Sequence, residues 1–214
     1  MVHVPEAGTV NFGDITQITD DDLAALGKIH VLEGGSPCQA FSIAGKRKGL
    51  NDPRGNVLLT FCQLVERMRK INDLEFVVWE NVQGALSEKT NGFGCLLASL
   101  AGEAGGRMER PGGKWSAAGR VFGRQKRQVA WRTVDAVHWG IPQRRKRVFV
   151  VANIGGTHKG FGIPDQILFE PDSSFWHPKQ GLKTRQAVVS TYRCSDCLEY
   201  RSAEERLRDP AVIA

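Results

Sequence analysis

Cys38 lies in the stretch Ile29 to Ser42, I-H-V-L-E-G-G-S-P-C-Q-A-F-S, where a short apolar, β-branched run is broken by Gly34-Gly35-Ser36-Pro37. The run reads as a buried strand and the break as its end, so the thiol falls just past a strand end. In open α/β sheets ligands bind outside the carboxyl ends of strands, which puts Cys38 where chemistry is usual. A thiol there is a candidate nucleophile, and with a free pKa of about 8.5 it needs basic surroundings to supply thiolate at neutral pH. Glu80 follows a strand end in the same way: it opens Glu80-Asn81-Val82 after the apolar run Leu74 to Trp79. Gln143-Arg144-Arg145-Lys146-Arg147 leads into the β-branched run that ends at Asn153. Arg145 and Arg147 are two residues apart, so in a strand they point to one face.

The elements that must carry these groups can be read in order. Gly8 to Thr16 reads as a short strand ending in an acidic loop. Thr19-Asp20-Asp21-Asp22 offers cap oxygens and negative charge to a helix start, and Gly27 closes that helix after Leu23 to Leu26. A strand beginning near Lys28 leads to Cys38, and the Gly-rich, basic Ile43 to Gly55 reads as a loop. From Asn56, the residues Val57, Leu58, Phe61, Leu64, Val65, Met68 and Ile71 recur at helical spacing. Cys62 rides on that stripe and is expected in the core. A strand over Leu74 to Trp79, a helix over Phe93 to Leu100 and a long basic excursion from Gly102 to Arg127 follow. Gln128 to His138 and Arg147 to Asn153 read as strands of a hairpin, with Gly140-Ile141-Pro142-Gln143 between them. Strand, helix, strand, helix and a terminal hairpin predict an α/β fold with a largely parallel sheet. Past Gly155 the periodicity fades through Pro164, Pro171 and Pro178 to a short helix expected within Glu199 to Arg208.

At 214 residues with 41% hydrophobic content, the chain suits one domain or one domain and part of a second. No apolar run is long enough for a membrane span, and the N-terminus lacks the pattern of a signal peptide, so a cytoplasmic protein is expected. The five cysteines are scattered, and Cys194-Ser195-Asp196-Cys197 lacks a second pair at zinc spacing, so no metal site is expected. The net charge of +6 and pI near 9.2 favour a polyanionic partner. Between Arg107 and Arg147 cations far outnumber acids, and Trp115, Phe122, Trp131 and Trp139 interleave them. That pattern predicts a nucleic-acid groove rather than a plain solvated face.

Taken together and in order, Pro37-Cys38-Gln39, Glu80-Asn81-Val82 and Gln143 to Arg147 resemble the P-C-Q, E-N-V and Q-x-R-x-R motifs of the DNA (cytosine-5)-methyltransferase family. The likeness is to bacterial and phage members. F-G-D-I-T at Phe12 to Thr16, D-P-R-G at Asp52 to Gly55 and W-G-I-P-Q-R-R-K-R at Trp139 to Arg147 extend it from about Asn11 to Asn153. The resemblance implies a Rossmann-like sheet that uses S-adenosylmethionine and acts on a cytosine flipped out of double-stranded DNA. By it, Cys38 adds to carbon 6 of the ring. Glu80 serves N3, which calls for a partly desolvated setting that keeps a proton available. Arg147 reaches the cytosine O2, Arg145 holds Glu80, and Arg144 and Lys146 touch phosphates. Asp14, Ile15 and Pro37 fall on the cofactor side. Gln39, Ser42, Lys46, Arg47 and Lys48 fall on the DNA side, the last three on a lid over the DNA, Ile43 to Leu50.

The family's opening strand and Gly-rich turn, its acidic ribose-binding residue and its late Asn motif have no counterpart in this sequence. Gly92-Phe93-Gly94 follows a polar stretch and not a strand, so it is not that turn. The sheet is therefore expected to be incomplete, with an open parallel edge and exposed apolar faces on the Asn56 to Asn72 helix. Residues 1–155 read as a partial catalytic domain, and 156–214 as the start of a target recognition region or an irregular extension. The implied function is cytosine-5 methyl transfer to DNA within a restriction-modification system, by a truncated chain or one part of a split enzyme completed by a second polypeptide. An inactive basic DNA-binding remnant is the alternative, and RNA cytosine is not excluded by the motifs.

Overall fold

The computed structural model describes residues 10–36, 56–103, 106–139, 142–155 and 162–169, and the backbone of 190–193. A six-stranded sheet runs through it in the order β1-β2-β5-β4-β3-β6. The strands are β1 (Val31–Gly34), β2 (Phe76–Val82), β3 (Ala118–Phe122), β4 (Gln128–Asp135), β5 (Lys146–Asn153) and β6 (Ser190–Arg193). The helices are α1 (Asp20–Ala25), α2 (Asn56–Ile71), α3 (Gly92–Leu100) and α4 (Ile163–Leu168). Beyond residue 155, both α4 and β6 join this same layered body. Among the described residues no helix is long and apolar enough to cross a membrane.

The sheet is mixed, not largely parallel. Only β1–β2 and β3–β6 are parallel, whereas β2–β5, β5–β4 and β4–β3 are antiparallel. The basic excursion adds one of these antiparallel pairs, since it contains β3, which folds back on β4 in a hairpin; the other two come from β5, which runs antiparallel to both of its neighbours. The strand expected at Gly8 to Thr16 is also absent from its described part. Asp14 caps a 3₁₀ turn at Ile15–Gln17 instead, its carboxylate accepting from the Thr16 N–H. The strand expected to reach His138 stops at Asp135, and a 3₁₀ turn follows at Ala136–Trp139.

Helix α1 starts as its sequence requires. The Thr19 hydroxyl accepts from Asp22 N–H, and the Asp22 carboxylate accepts from Thr19 N–H in return. Gly27, at φ +66°, ends it in a conformation that glycine tolerates best. The α2 stripe is not left exposed: Leu58, Phe61, Cys62, Leu64, Val65 and Met68 are all buried with Leu23 of α1, Phe93 and Leu97 of α3, and Val77 and Trp79 of the sheet. Each such side chain contributes roughly 1.5–3 kcal/mol on burial. Helix α4 covers part of the opposite face, with Leu168 against Ala130 and Val151.

The excursion is fastened from inside. Arg127 is 3% exposed; its Nη1 donates to Glu66 Oε1 at 2.5 Å and to the Ser99 carbonyl at 3.3 Å, joining the β3–β4 turn to α2 and α3. Burial pushes the Glu66 carboxyl up, but hydrogen bonds and charges of Arg127 and Arg69 outweigh it and hold the group below the usual carboxylate range. Arg127→Ala should cost about 3 kcal/mol, the low end for breaking a buried pair because Glu66 keeps some solvent, measurable by urea unfolding. Since the Glu66 pKa is lower folded than unfolded, its stabilisation is present above about pH 4.3 and lost as pH falls through the depressed value. Acid titration of unfolding should therefore be shallower in Glu66→Gln than in the native chain.

Candidate active site

Strands β1 and β2 run parallel, with Gly34 opposite Trp79, so their carboxyl ends reach the same edge of the sheet. Strand β5 runs antiparallel to β2 and therefore begins at that edge, with Arg147 opposite Val82. Topology alone thus gathers Ser36, Glu80 to Val82 and Arg145 to Arg147. These are the strand-end positions that the sequence singled out.

Alternation along β2 then decides which way each group faces. Val77, Trp79 and Asn81 take the face packed by α2 and α3, and Glu80 takes the other. Asn81 is 4% exposed, and its amide has to be satisfied there. Its Nδ2 donates to the Ser36 carbonyl at 2.6 Å, and its Oδ1 accepts the Val82 N–H at 2.8 Å. The loop leaving β1 is in this way tied to the end of β2. Gly35 permits the approach, because a Cβ there would stand 3.0 Å from the Glu80 carbonyl oxygen and 3.7 Å from its carboxylate Oε2. Arg147 Nε lies 2.8 Å from Glu80 Oε1, a diagonal pair across β2 and β5 with both side chains partly exposed.

The resemblance gives the Glu80 contact to Arg145, but Arg147 makes it. Arg145 precedes β5 and its side chain is exposed, while its backbone N–H donates to Asp135 Oδ1 at 3.1 Å. Cys38, Pro37, Gln39, Ser42, Lys46, Arg47 and Lys48 lie outside the described residues. Of the described cysteines, neither is prepared as a nucleophile: burial pushes the Cys62 thiol up to about 11, and burial also raises Cys95. Cys62 is a core residue, as its place on the helical stripe predicts.

A shallow cleft of about 120 Å³ opens at the end of β1, between Ile15, Leu32, Gly34, Ser36 and the α2 residues Val57 and Phe61. Ile15, Leu32, Val57, Phe61 and Leu64 make its walls mostly apolar, and Glu33 and Ser36 are the polar residues that line it. Small-molecule sites usually enclose about 300–1,000 Å³, so the cleft among the described residues is smaller than a complete site of that kind. Asp14 is next to this cleft in sequence, and hydrogen bonds from Thr16 hold its carboxyl below the usual range. Among the described residues no cluster of His, Cys, Asp or Glu could hold a metal ion.

Two of the aromatics in the basic stretch, Trp115 and Trp131, do not form a stacking groove. Trp115 and Trp131 are buried and meet edge to face with ring centroids 5.8 Å apart, and both also pack on Phe93. Arg127 pairs with Glu66, Arg120 with Asp165, and Arg110 donates to the carbonyls of Ser87, Lys89 and Gly113. The side chain of Trp139 lies outside the described residues. Cations left exposed near the site are Arg144, Arg145 and Lys146. The sequence marked Gly35 and Ser36 as a strand break and Asn81 as part of a motif, but gave them no contact; the available signal was an amide inside an otherwise apolar, alternating strand, which must find a buried partner. Asn81→Ala leaves the Ser36 carbonyl without that donor and should cost about 1–3 kcal/mol in thermal or urea unfolding.

Three comparisons bear on this arrangement. The family model described as C-5 cytosine-specific DNA methylase matches residues 5–103. The chain is 34% identical over 201 residues to the type II methyltransferase M.AquIA of Picosynechococcus sp., covering 89% of this chain and 73% of that protein. It is 43% identical over 171 residues to a protein of Escherichia phage P1 named DNA N-6-adenine-methyltransferase, covering 67% of this chain but only 22% of that protein. Among solved structures, that of the S. pombe Dnmt2 methyltransferase matches 83% of this chain and 43% of its own, at 18% identity and a TM-score of 0.47.

Proposed function

This chain belongs to the C-5 cytosine-specific DNA methylase family, and we propose that it supplies the nucleophile and the acid for methyl transfer to carbon 5 of a DNA cytosine. The observation that carries this reading is the hold of Asn81 on Ser36 beside the Glu80–Arg147 pair. Cys38 follows Ser36 by two residues, so an extended chain can carry its Cα no more than about 7 Å away. Cys38 is thus close in the chain to Ser36, which Asn81 ties to the end of β2, and this supports giving it the role of nucleophile.

In this reading the Cys38 thiolate adds to carbon 6 of a flipped-out cytosine, forming a carbon–sulfur bond and leaving carbon 5 electron-rich. S-adenosylmethionine, when bound, supplies the methyl group as an electrophile. Loss of the carbon 5 proton then expels the thiolate and restores the aromatic ring. Glu80 serves N3 through Oε2, the oxygen that faces Gly35, while Oε1 stays with Arg147. Arg147 spends Nε on Glu80 and Nη1 on the Lys146 carbonyl, which leaves Nη2 for the cytosine O2. Arg144, Arg145 and Lys146 meet DNA phosphates, together with Gln39, Ser42 and the lid residues Lys46, Arg47 and Lys48. Asp14, Ile15 and Pro37 stand on the adenine side of the cofactor.

The adenine activity in the name of the phage P1 protein does not suit this site. An exocyclic amine takes a methyl group directly, so a thiol loop has no task in N6 transfer. A second polypeptide is part of the proposal. It is supported by the position of β1 at the sheet edge, where no described strand pairs with its outer side, by Val31 being 53% exposed, and by the small cleft. We assign residues 156–214 to the start of a target recognition region, anchored by α4 and β6. A place in a restriction-modification system is supported by the type II name of M.AquIA.

Fluorine on carbon 5 cannot leave as a proton does, so duplex DNA carrying 5-fluorocytosine should hold the adduct. The chain, with S-adenosylmethionine and its complementing polypeptide, should yield a covalent complex whose modified peptide contains Cys38, and Cys38→Ser should abolish it. An adduct on Cys62 or Cys95, or one that survives Cys38→Ser, would overturn the assignment.

A further inference from the structure

The chain between β4 and β5, from Ala136 to Arg145, leaves and rejoins the sheet at the edge that carries Glu80. Asp135, the last residue of β4, closes the neck of this loop. Its Oδ1 accepts the Arg145 N–H at 3.1 Å and, more weakly, the Val137 N–H at 3.4 Å. The Ala136 N–H in turn donates to the Arg145 carbonyl at 3.1 Å. Both backbone groups of Arg145 are therefore fixed. The next two residues, Lys146 and Arg147, pair in register with Asp135 and Val134, and Arg147 reaches Glu80 from that position. Asp135 is 8% exposed and makes no salt bridge among the described residues. A nearly buried carboxylate facing a basic turn is here an acceptor for backbone N–H groups, as in an Asx turn.

We propose that Asp135 is a positioning residue: by clamping Arg145 it fixes where β5 starts, and so where Arg147 meets Glu80 and where Arg144, Arg145 and Lys146 stand toward DNA phosphates. The proposal rests on the methyltransferase reading for the role of those cations, but the clamp itself can be read without DNA.

Asp135→Ala removes the acceptor, whereas Asp135→Asn keeps an oxygen in the same place and removes only the charge. In Asp135→Ala the Arg145 amide should exchange with solvent roughly tenfold faster, the equivalent of breaking one hydrogen bond. The slope of log affinity against log salt for duplex DNA should fall by about 1 to 2, at about 0.9 for each phosphate no longer neutralised. Asp135→Asn should keep both near native values, and general destabilisation does not change a salt slope measured on folded protein. Should Asp135→Ala fail to fold, Asp135→Glu, which displaces the acceptor by one methylene, should show the same fall. Native exchange and slope in Asp135→Ala overturn the proposal, and so does an Asp135→Asn variant that behaves like Asp135→Ala. A flat salt response in the native chain refutes the phosphate contacts instead, and the exchange of the Arg145 amide then judges the clamp alone.

Discussion

The hydrogen bond from Asn81 to the Ser36 carbonyl is the contact on which the site depends. Parallel pairing of β1 and β2 ends at Gly34 and Trp79, so past that point no ladder holds the two chains together. A loop leaving β1 without another tie would be free to move away from β2. The buried amide supplies the tie at 2.6 Å and stabilises it twice over, because parting would leave both a buried donor and a buried carbonyl unpaired. Gly35 is the necessary companion, since any side chain there would press on the Glu80 carbonyl. The pair of contacts explains why a Gly-Gly-Ser run stands where a strand would otherwise continue.

Charge in this chain does two kinds of work that composition cannot separate. A net charge of +6 and a cation-rich second half read as a polyanion surface. Yet Arg127 and Arg120 of the β3–β4 hairpin are turned inward: Arg127 locks the hairpin to α2, and Arg120 joins Gln128 in holding Asp165 against the sheet, while Arg124 and Lys126 are exposed at its turn. Arg132 donates to the last turn of α4 at the Leu168 carbonyl. Burial raises the Asp165 carboxyl even with Arg120 beside it, so this contact fastens α4 at a desolvation cost. Exposed toward a partner, among the described residues of this half, are Arg107, Lys114, Arg124, Lys126 and the short basic turn before β5.

Legibility from sequence followed periodicity and failed where tertiary context overrode it. The α2 stripe, the alternation of β2, the Thr19 cap and the Gly27 stop were all readable, because each is a local pattern with a local cause. Cys62 was assigned to the core for the same reason. The sheet's direction was not readable, since β3 hides in a Gly-rich, charged stretch whose stability comes from Arg127 and from Trp115 and Trp131 packing on Phe93. Alternating tryptophan and arginine looks alike in a stacking groove and in a hairpin whose indoles face a core. The strand ends of the candidate site were legible as positions, but the contact between them was not. Two-residue spacing places Arg145 and Arg147 on one face only if both lie in the strand, and β5 starts at Lys146.

Glu80 and Asn81 show how one strand end serves structure and chemistry at once. Side chains alternate, so neighbours in sequence face opposite layers, and a residue required in the core can sit beside one required in the open. Asn81 faces the packed layer of α2 and α3, where rigidity is greatest, and there it holds the β1 loop. Glu80 faces the other layer, where α4 packs on β4 and β5. Had the register slipped by one residue, the carboxylate would face the packed layer of α2 and α3 and the amide the other layer, with neither able to act. The antiparallel run of β5 completes the arrangement. It delivers Arg147 to the open layer diagonally across from Glu80, so the acid is oriented by a strand and not by a loop.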